Sequence, residues 1–356
     1  MKKALAAALS SILVLSLAAC GGSSASTTAA ETSAAAETTA ASAETQAAES
    51  KKEESTEAAS KDASGKTYKI GVLQFVQHPA LDKSNQGFVA ALDDSGISYD
   101  INQQNASGDQ SACQTIATTL VNDKEDLILA IATPAAQAVA GQTTEIPILI
   151  TAVTDPAASK LVASNDAPGG NVTGTSDLTP VKEQIDLLKE IIPDAKKVGV
   201  LYCSAESNSL IQKDMAEKEC EALGMETVDM PITASNEIQT VVESAISKGI
   251  DAIYVPTDNM AAAGMTTIAM IANDNKIPVI CGEDGEVQSG GLCTYGIDYY
   301  ELGYLCGQQA VKILTEGADP ATMPIEYLPA DKCEFSYNGE TAKTLGIDLS
   351  NKYSNN

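Results

Sequence analysis

Two short turns carry the residues of this chain that are best suited to binding charged groups. The turns Thr133-Pro134 and Thr257-Asp258 each follow an apolar run. A threonine N-cap with proline at the first helical position predicts a helix N-terminus, whose free N–H groups and dipole favour an anion. The Asp258 carboxylate, which opens a predicted helix over 260–273, favours a cation. Together the two turns would fit a small molecule that carries both charges.

Each assignment has a structural alternative that the sequence leaves open. Thr133-Pro134 would also begin a plain, well-capped helix, and Asp258 could serve only as an N-cap. Other polar residues are predicted to follow neighbouring strands and could join the same site. These further candidates are Gln77, His78, Ala135, Thr154, Asp155, Ser204, Asn208, Asn259 and Glu283.

The charge of the chain limits its partners. The formal net charge is -26, and all 22 basic residues are lysine. Such acidity argues against binding to nucleic acid or to anionic lipid headgroups. Without arginine, an anion cannot be held by a guanidinium fork, so backbone N–H groups, hydroxyls or lysine must hold it.

Catalytic and metal-binding patterns are missing from the sequence. His78 is the only histidine, and no G-x-S-x-G, H-E-x-x-H, C-x-x-C or phosphate-binding glycine loop occurs. We therefore expect no enzyme, no catalytic residue, no metal and no cofactor, with a hydrolase as a disfavoured alternative. Apart from Cys20, seven cysteines lie mostly in apolar segments, where we expect small hydrophobic side chains.

Alternating short apolar runs and helical patterns predict an α/β protein with parallel sheets. The predicted elements include a strand at 69–75, a helix at 110–122 and a strand at 127–132. Three segments recur in the same order, since 69–73, 130–134 and 145–150 resemble 197–201, 254–258 and 276–281. This repetition predicts two similar Rossmann-like lobes whose strand-end loops face one cleft.

The N-terminal segment predicts export. Two lysines and a short apolar run end at Leu17-Ala18-Ala19-Cys20, which is typical of a signal peptide over 1–19. The motif resembles a bacterial lipobox and implies lipid attachment to Cys20, although an ordinary signal with an incidental cysteine is the alternative. Residues 20–66 are mostly Ser, Thr, Ala, Glu and Lys, which predicts a disordered stalk.

The body resembles the substrate-binding lipoproteins of ABC importers, in the branch for tryptophan or tyrosine uptake. The resemblance is carried by segments 71–82 (GVLQFVQHPALD), 256–259 (PTDN) and 294–303 (TYGIDYYELG). It implies a type I periplasmic-binding fold, with two lobes joined by three hinge strands. The implied ranges are 67–177 plus 283–317 for lobe 1, 178–282 plus 318–332 for lobe 2, with its last strand near 324–328, and 333–356 for a hinge return and tail.

The resemblance also implies a function. The chain would act outside the cytoplasm, anchored to the membrane by its lipid, and we expect a monomer. It would capture a free amino acid, tyrosine or tryptophan, and deliver it to a permease driven by a separate ATPase. Alternatives are a nucleoside, sugar or peptide ligand, or a surface receptor or adhesin that feeds a sensor.

An aromatic ligand would draw on few stacking partners. The chain has no tryptophan and three phenylalanines. Phe75 follows the first strand and is the candidate for contact with an aromatic ligand. The scarcity of aromatic residues is in tension with the resemblance, and Phe75 could equally lie in the core.

Overall fold

The computed structural model describes residues 65–350, which form two α/β lobes. The predictions for the signal peptide, for Cys20, for nearly all of the stalk and for residues 351–356 lie outside the described residues. The strands are β1 (Thr67–Gln74), β2 (Ser98–Asn105), β3 (Leu127–Ile131), β4 (Ile148–Val153), β5 (Val172–Ser176), β6 (Lys197–Cys203), β7 (Glu226–Ile232), β8 (Ala252–Val255), β9 (Val279–Cys281), β10 (Cys293–Gly296), β11 (Glu326–Tyr327) and β12 (Glu334–Tyr337).

The helices lie between these strands, as the alternation of patterns predicts. They are α1 (Pro79–Ser95), α2 (Gln110–Asn122), α3 (Thr133–Ala140), α4 (Val181–Ile191), α5 (Ser207–Ala222), α6 (Ile238–Ser247), α7 (Asn259–Ala263), α8 (Met265–Asp274), α9 (Asp284–Gln288), α10 (Tyr299–Val311) and α11 (Gly339–Leu345). No helix within residues 65–350 has the length and apolar character needed to cross a bilayer.

Each lobe contains one six-stranded sheet. The order is β11-β5-β4-β3-β1-β2 in lobe 1 and β12-β10-β9-β8-β6-β7 in lobe 2. Strands β3 and β4 are buried at every position, as parallel strands covered by helices on both faces require. The repeat is confirmed, because β1 and β6 hold equivalent places and β3 and β4 correspond to β8 and β9.

The antiparallel strand β12 closes the second sheet. It pairs with β10, while all other strand pairs between described residues are parallel. Six of the seven cysteines in this part of the chain are buried. Cysteine as a small core residue is thus confirmed for those six.

Three chain crossings join the lobes, but two of the predicted ranges are wrong. Strand β11 pairs with β5 in lobe 1, although residues 318–332 were expected in lobe 2. Residues 283–317 were expected in lobe 1. Within this range, helix α10 does pack in the lobe 1 core, but strand β10 pairs with β9 in lobe 2. The C-terminal segment adds β12 and α11 to lobe 2 and is no mere tail. The crossings therefore lie between β5 and α4, between β10 and α10, and between β11 and β12.

The predicted helix over 260–273 is two helices. Helix α7 ends at Ala263, and α8 begins at Met265, with Gly264 between them. A Cβ atom at Gly264 would lie 2.1 Å from Cδ1 of Ile238. Any larger residue at Gly264 would therefore require the Ile238 side chain of α6 to move.

Candidate functional site

The carboxyl ends of β1, β3 and β4 face those of β6, β8 and β9, and the loops that follow them meet between the lobes. His78 Nε2 lies 3.3 Å from Asn259 Oδ1, and Gln137 Nε2 donates to Ser207 Oγ at 3.2 Å. Both contacts join lobe 1 to lobe 2. The structure therefore shows the lobes closed on each other, with polar side chains along the seam.

The N-terminus of α3 forms the lobe 1 side of this seam. Helix α3 begins at Thr133, and Ala132 takes the cap position with φ 83° and ψ 154°. The prediction that Thr133 is the N-cap is therefore wrong by one residue. The first hydrogen bond of the helix runs from Ala136 N to Ala132 O. The N–H groups of Thr133 and Ala135 come before this bond, so they have no acceptor within the helix.

The hydroxyl of Thr133 is left without a partner by this shift. Thr133 is 1% exposed, and its Oγ1 has no hydrogen-bond partner among the described residues. A buried, unpaired hydroxyl costs free energy. The conformation of Ala132 lies in a region that almost only glycine adopts, and strain of this kind clusters at functional sites. Both features make this helix end a suitable place for a ligand anion.

A cluster of hydroxyl and amide side chains crosses the seam next to α3. Thr154 Oγ1 lies 3.4 Å from Thr257 Oγ1, and Gln212 Nε2 donates to Thr257 Oγ1 at 2.6 Å. The Oε1 atom of Gln212 accepts from Thr257 N at 2.8 Å. Gln212 was not predicted from the sequence, because it lies inside α5 and nothing in its spacing marks it as facing the cleft.

Asp258 is the N-cap of α7, which was the predicted alternative to a role in ligand binding. Its Oδ1 accepts from Ala261 N at 2.8 Å, and its Oδ2 accepts a short bond from Cys203 N. Burial raises the pKa of Asp258, while its hydrogen bonds oppose that shift. Both oxygens are thus occupied by hydrogen-bond donors of the protein itself.

Glu206 lies beside Asp258 and was missed in the sequence. It is 1% exposed, and its Oε2 accepts from Asn259 Nδ2 at 2.5 Å and from Asn208 Nδ2 at 3.4 Å. Burial, and then the charge of Asp258, raise the pKa of Glu206 to about 8. Burial lowers the pKa of His78 to about 4, so this imidazole is neutral near pH 7. The only sequence signal was the position of Glu206 in a polar loop after β6.

Glu283 lies apart from Glu206 and does not line the same cavity. Its Oε2 accepts from Gly285 N at 2.5 Å as the cap of α9, and burial raises its pKa to about 7. It lines a cavity of about 270 Å³ together with Lys83 and Tyr299. Glu206 lines a different cavity, of about 380 Å³, with Phe75 and Met260. Phe75 and Glu206 therefore line one cavity, and Glu283 lines another.

Three predicted site residues have local partners instead. Gln77 is exposed, and its Nε2 is 3.5 Å from Asp82 Oδ2. Ser204 is exposed and donates to Ile232 O at 3.3 Å. Asp155 Oδ1 accepts from Ala157 N at 3.1 Å. Gln77 thus bonds to the first turn of α1, Ser204 to the end of β7, and Asp155 within its own loop.

The sequence of this chain is similar to those of known proteins. The family model described as ABC transporter substrate binding protein matches residues 69–356. A tyrosine-binding protein of Clostridioides difficile is 43% identical over 291 residues, which are 81% of this chain and 83% of the relative.

Two solved structures share the fold, one with a bound ligand and one without. An ABC domain in complex with L-Trp from Streptococcus pneumoniae is 36% identical, with a TM-score of 0.76, over 80% of this chain and 96% of that chain. The ligand-free, open structure of a substrate-binding protein with adhesive properties from Clostridium difficile is 44% identical, with a TM-score of 0.60, over 79% of this chain and 96% of that chain. The more similar sequence thus has the less similar structure.

Proposed function

Because this chain belongs to the family of ABC transporter substrate-binding proteins, we propose that it captures a free aromatic amino acid, tyrosine or tryptophan. The amino acid binds in the cleft between the lobes. Closure of the cleft then presents it to a membrane permease, which a separate ATPase drives.

The opposite polarity of the two cleft walls carries this proposal. Lobe 1 offers the N-terminus of α3 and the unpartnered hydroxyl of Thr133. Lobe 2 offers the buried carboxyl groups of Glu206 and Asp258. An amino acid carries a carboxylate for the first wall and an ammonium group for the second. With no arginine in the chain, the α3 N-terminus is the natural anchor for the carboxylate.

The relatives support an aromatic side chain and a closing motion. One is named a tyrosine-binding protein, and another was solved with L-Trp. The closed lobes of this chain match the L-Trp complex with a TM-score of 0.76, against 0.60 for the ligand-free, open structure. A ligand that contacts both lobes favours the closed state by its additional contacts there.

Titration calorimetry tests the proposal. The protein is titrated with tyrosine, tryptophan, ribose, adenosine and a dipeptide, and we expect binding of one or both aromatic amino acids. Binding of ribose, adenosine or the dipeptide alone would contradict the proposal and favour the alternative small solutes.

A pair of threonine variants tests the carboxylate anchor. Thr133→Val removes the free hydroxyl without changing the shape of the side chain much, and should weaken tyrosine or tryptophan binding about tenfold. Thr118→Val is the control, because Thr118 is exposed on α2 and its hydroxyl bonds only to Gln114 O at 2.8 Å. Equal affinities of the two variants would contradict the anchor.

The site of action follows from the family, which works outside the cytoplasm. Lipid attachment at Cys20, with residues 20–66 as a stalk, would hold the protein at the membrane, where the permease is. We expect it to act there as a monomer, since its two lobes form the cleft within one chain.

A second role has one supporting observation. The 44% identical relative from Clostridium difficile is described as having adhesive properties. An adhesin or sensor role would use the outer surface and need not use the cleft. Adhesion to host cells that survives Thr133→Val, while amino acid binding weakens, would separate the two roles.

A further inference from the structure

We propose that Glu206 receives the ligand's ammonium group and that capture of the ligand releases one proton from the Glu206 carboxyl group to solvent. This inference rests on the proposed function, since it needs an amino acid in the cleft. It names the residue that recognises the ammonium group and adds a proton exchange to the binding step.

The hydrogen bonds of Glu206 leave one oxygen available. Its Oε2 accepts from Asn259 Nδ2 and Asn208 Nδ2, whereas its Oε1 has no partner among the described residues. Glu206 is 1% exposed and lines the 380 Å³ cavity beside Phe75. A buried carboxyl oxygen without a partner next to a cavity is suited to a ligand donor.

Asp258 is less suited to the same task. Its two oxygens already accept from Ala261 N and Cys203 N. These bonds hold the start of α7 and the end of β6, so a ligand would have to compete with them. The carboxyl group with a free acceptor is therefore Glu206, and Asp258 acts on it as a neighbouring negative charge.

The surroundings of Glu206 favour its neutral form until a cation arrives. The polar and titratable groups nearest to Glu206 are Asp258, Asn208, Asn259, Cys203 and Asp109, and His78 lies one hydrogen bond further away, on Asn259. This set contains two carboxyl groups and no lysine. Glu206 and Asp258 are both buried and lie side by side. Two neighbouring buried carboxylates repel each other, so one of these two groups holds a proton. Burial and Asp258 together raise the pKa of Glu206 to about 8.

A hydrogen-bond chain links this carboxyl group to closure of the lobes. Asn259 Nδ2 donates to Glu206 Oε2, and Asn259 Oδ1 lies 3.3 Å from His78 Nε2 of lobe 1. The Oδ1 atom is an acceptor, so His78 Nε2 carries the hydrogen and donates it. The chain from His78 to Glu206 spans both lobes and forms only when they are closed.

The exchange balances in charge and protons. Before binding, the carboxyl group of Glu206 is neutral and its proton is on oxygen. When the ammonium group of the ligand enters, that O–H bond breaks, the proton passes to the buffer, and the carboxylate pairs with the ammonium. The summed charge of Glu206, Asp258 and the ammonium group is -1 after the exchange, as it is for the two carboxyl groups before it, so the ammonium enters without an unpaired buried charge being added.

Calorimetry in two buffers measures this proton directly. L-tyrosine and L-tryptophan are titrated at pH 7 in phosphate and in Tris, whose ionisation enthalpies differ. Because burial and the charge of Asp258 raise the pKa of Glu206 to about 8, we expect release of between about half a proton and one proton per ligand. Between pH 6 and 7.5 the affinity should rise about tenfold for each pH unit.

A variant and a ligand analogue identify the residue. Glu206→Gln should abolish the proton release and weaken binding about 30-fold or more. Wild-type protein should discriminate strongly against 3-(4-hydroxyphenyl)propionate, which lacks the amino group, and the variant should lose most of this discrimination. Glu125→Gln is the control, because Glu125 is a carboxyl group of lobe 1 that is 8% exposed and bonds to Asn102 on β2.

The outcomes separate this inference from the proposed function. If tyrosine or tryptophan binds with a heat that is independent of buffer, the inference is overturned and the proposed function stands. If proton release persists in Glu206→Gln, another group supplies the proton and the inference is overturned. If neither amino acid binds wild-type protein, the proposed function fails, and the inference fails with it.

Discussion

Raising the pH from 6.5 to 8 should destabilise the ligand-free protein, although acidic proteins are commonly stable in this range. The reason is the buried carboxyl group of Glu206, whose pKa is raised to about 8 from its ordinary value of 4.5. For a carboxyl group with a raised pKa, the stabilising contribution is fully present below pH 4.5. It is lost as the pH rises through the folded-state value.

The size of the effect follows from the groups that titrate between these limits. Each carboxyl group that is protonated only in the folded state lowers the unfolding free energy by about 1.4 kcal/mol per pH unit. Glu206 therefore accounts for about 2 kcal/mol between pH 6.5 and 8. Glu283, with its pKa raised to about 7, adds about 1 kcal/mol in the lower part of this range.

His78 acts in the opposite direction but only at lower pH. Burial lowers its pKa from 6.5 to about 4, so the unfolded chain binds the additional proton between these values. Stability from His78 therefore rises with pH up to about 6.5 and is constant above it. Choosing pH 6.5 as the lower limit removes this compensation, and the expected loss from Glu206 and Glu283 together is about 2–3 kcal/mol. The buried Glu286, whose pKa burial also raises, adds to the loss in the same direction.

Guanidinium denaturation followed by circular dichroism at both pH values measures this loss. Glu206→Gln should remove about 2 kcal/mol of the pH dependence, whereas Glu243→Gln, at an exposed position on α6, should leave it intact. Equal or greater stability of wild-type protein at pH 8 would refute the reasoning about the buried carboxyl groups.

Three further changes have defined outcomes. Asp258→Ala removes the α7 cap and leaves Cys203 N without its acceptor, so the unfolding free energy should fall by about 2–4 kcal/mol in denaturant titration; an unchanged value would contradict the capping role. Ala132→Gly relieves the positive φ of 83° and should stabilise the protein by about 1 kcal/mol in thermal denaturation, whereas a lower melting temperature would argue against strain. Cys20→Ser should abolish incorporation of labelled palmitate and release the protein into the medium; retention at the membrane would rule out the lipid anchor.

The sequence predicts the regular elements well where their apolar pattern is strong. The helix over 110–122 has the same bounds in the structure, and β1 and β3 differ from their predicted ranges by at most two residues. The internal repeat correctly indicates two similar lobes, because equivalent strands need equivalent burial on both faces. The division of the lobes is less predictable near residues 283–332. Strand β11 has only two residues, too few for a pattern to show which sheet it joins.

The site is predicted in its location and less well in its contacts. Parallel strands place their carboxyl ends at one edge of each sheet, and the two lobes face each other with these edges, so Thr154 of lobe 1 could be expected near Asp258 and Asn259 of lobe 2. That Thr133 lies one residue inside α3 depends on the conformation of Ala132, which no sequence pattern indicates. Glu206 looks like an ordinary exposed acid in a serine-rich loop, because its burial depends on contacts with Asp258 and Asn259, which lie about fifty residues away in the chain.

Alternation of apolar runs, the repeat, the absence of arginine and the polar strand-end turns are properties of the sequence alone. They indicate an α/β chain of two lobes, in which any bound carboxylate would have to be held without a guanidinium group. The tertiary structure decides which carboxyl group of the cleft keeps an oxygen available and which serves as a cap. It does so because hydrogen bonding and desolvation depend on contacts between residues far apart in the chain, such as His78 and Asn259.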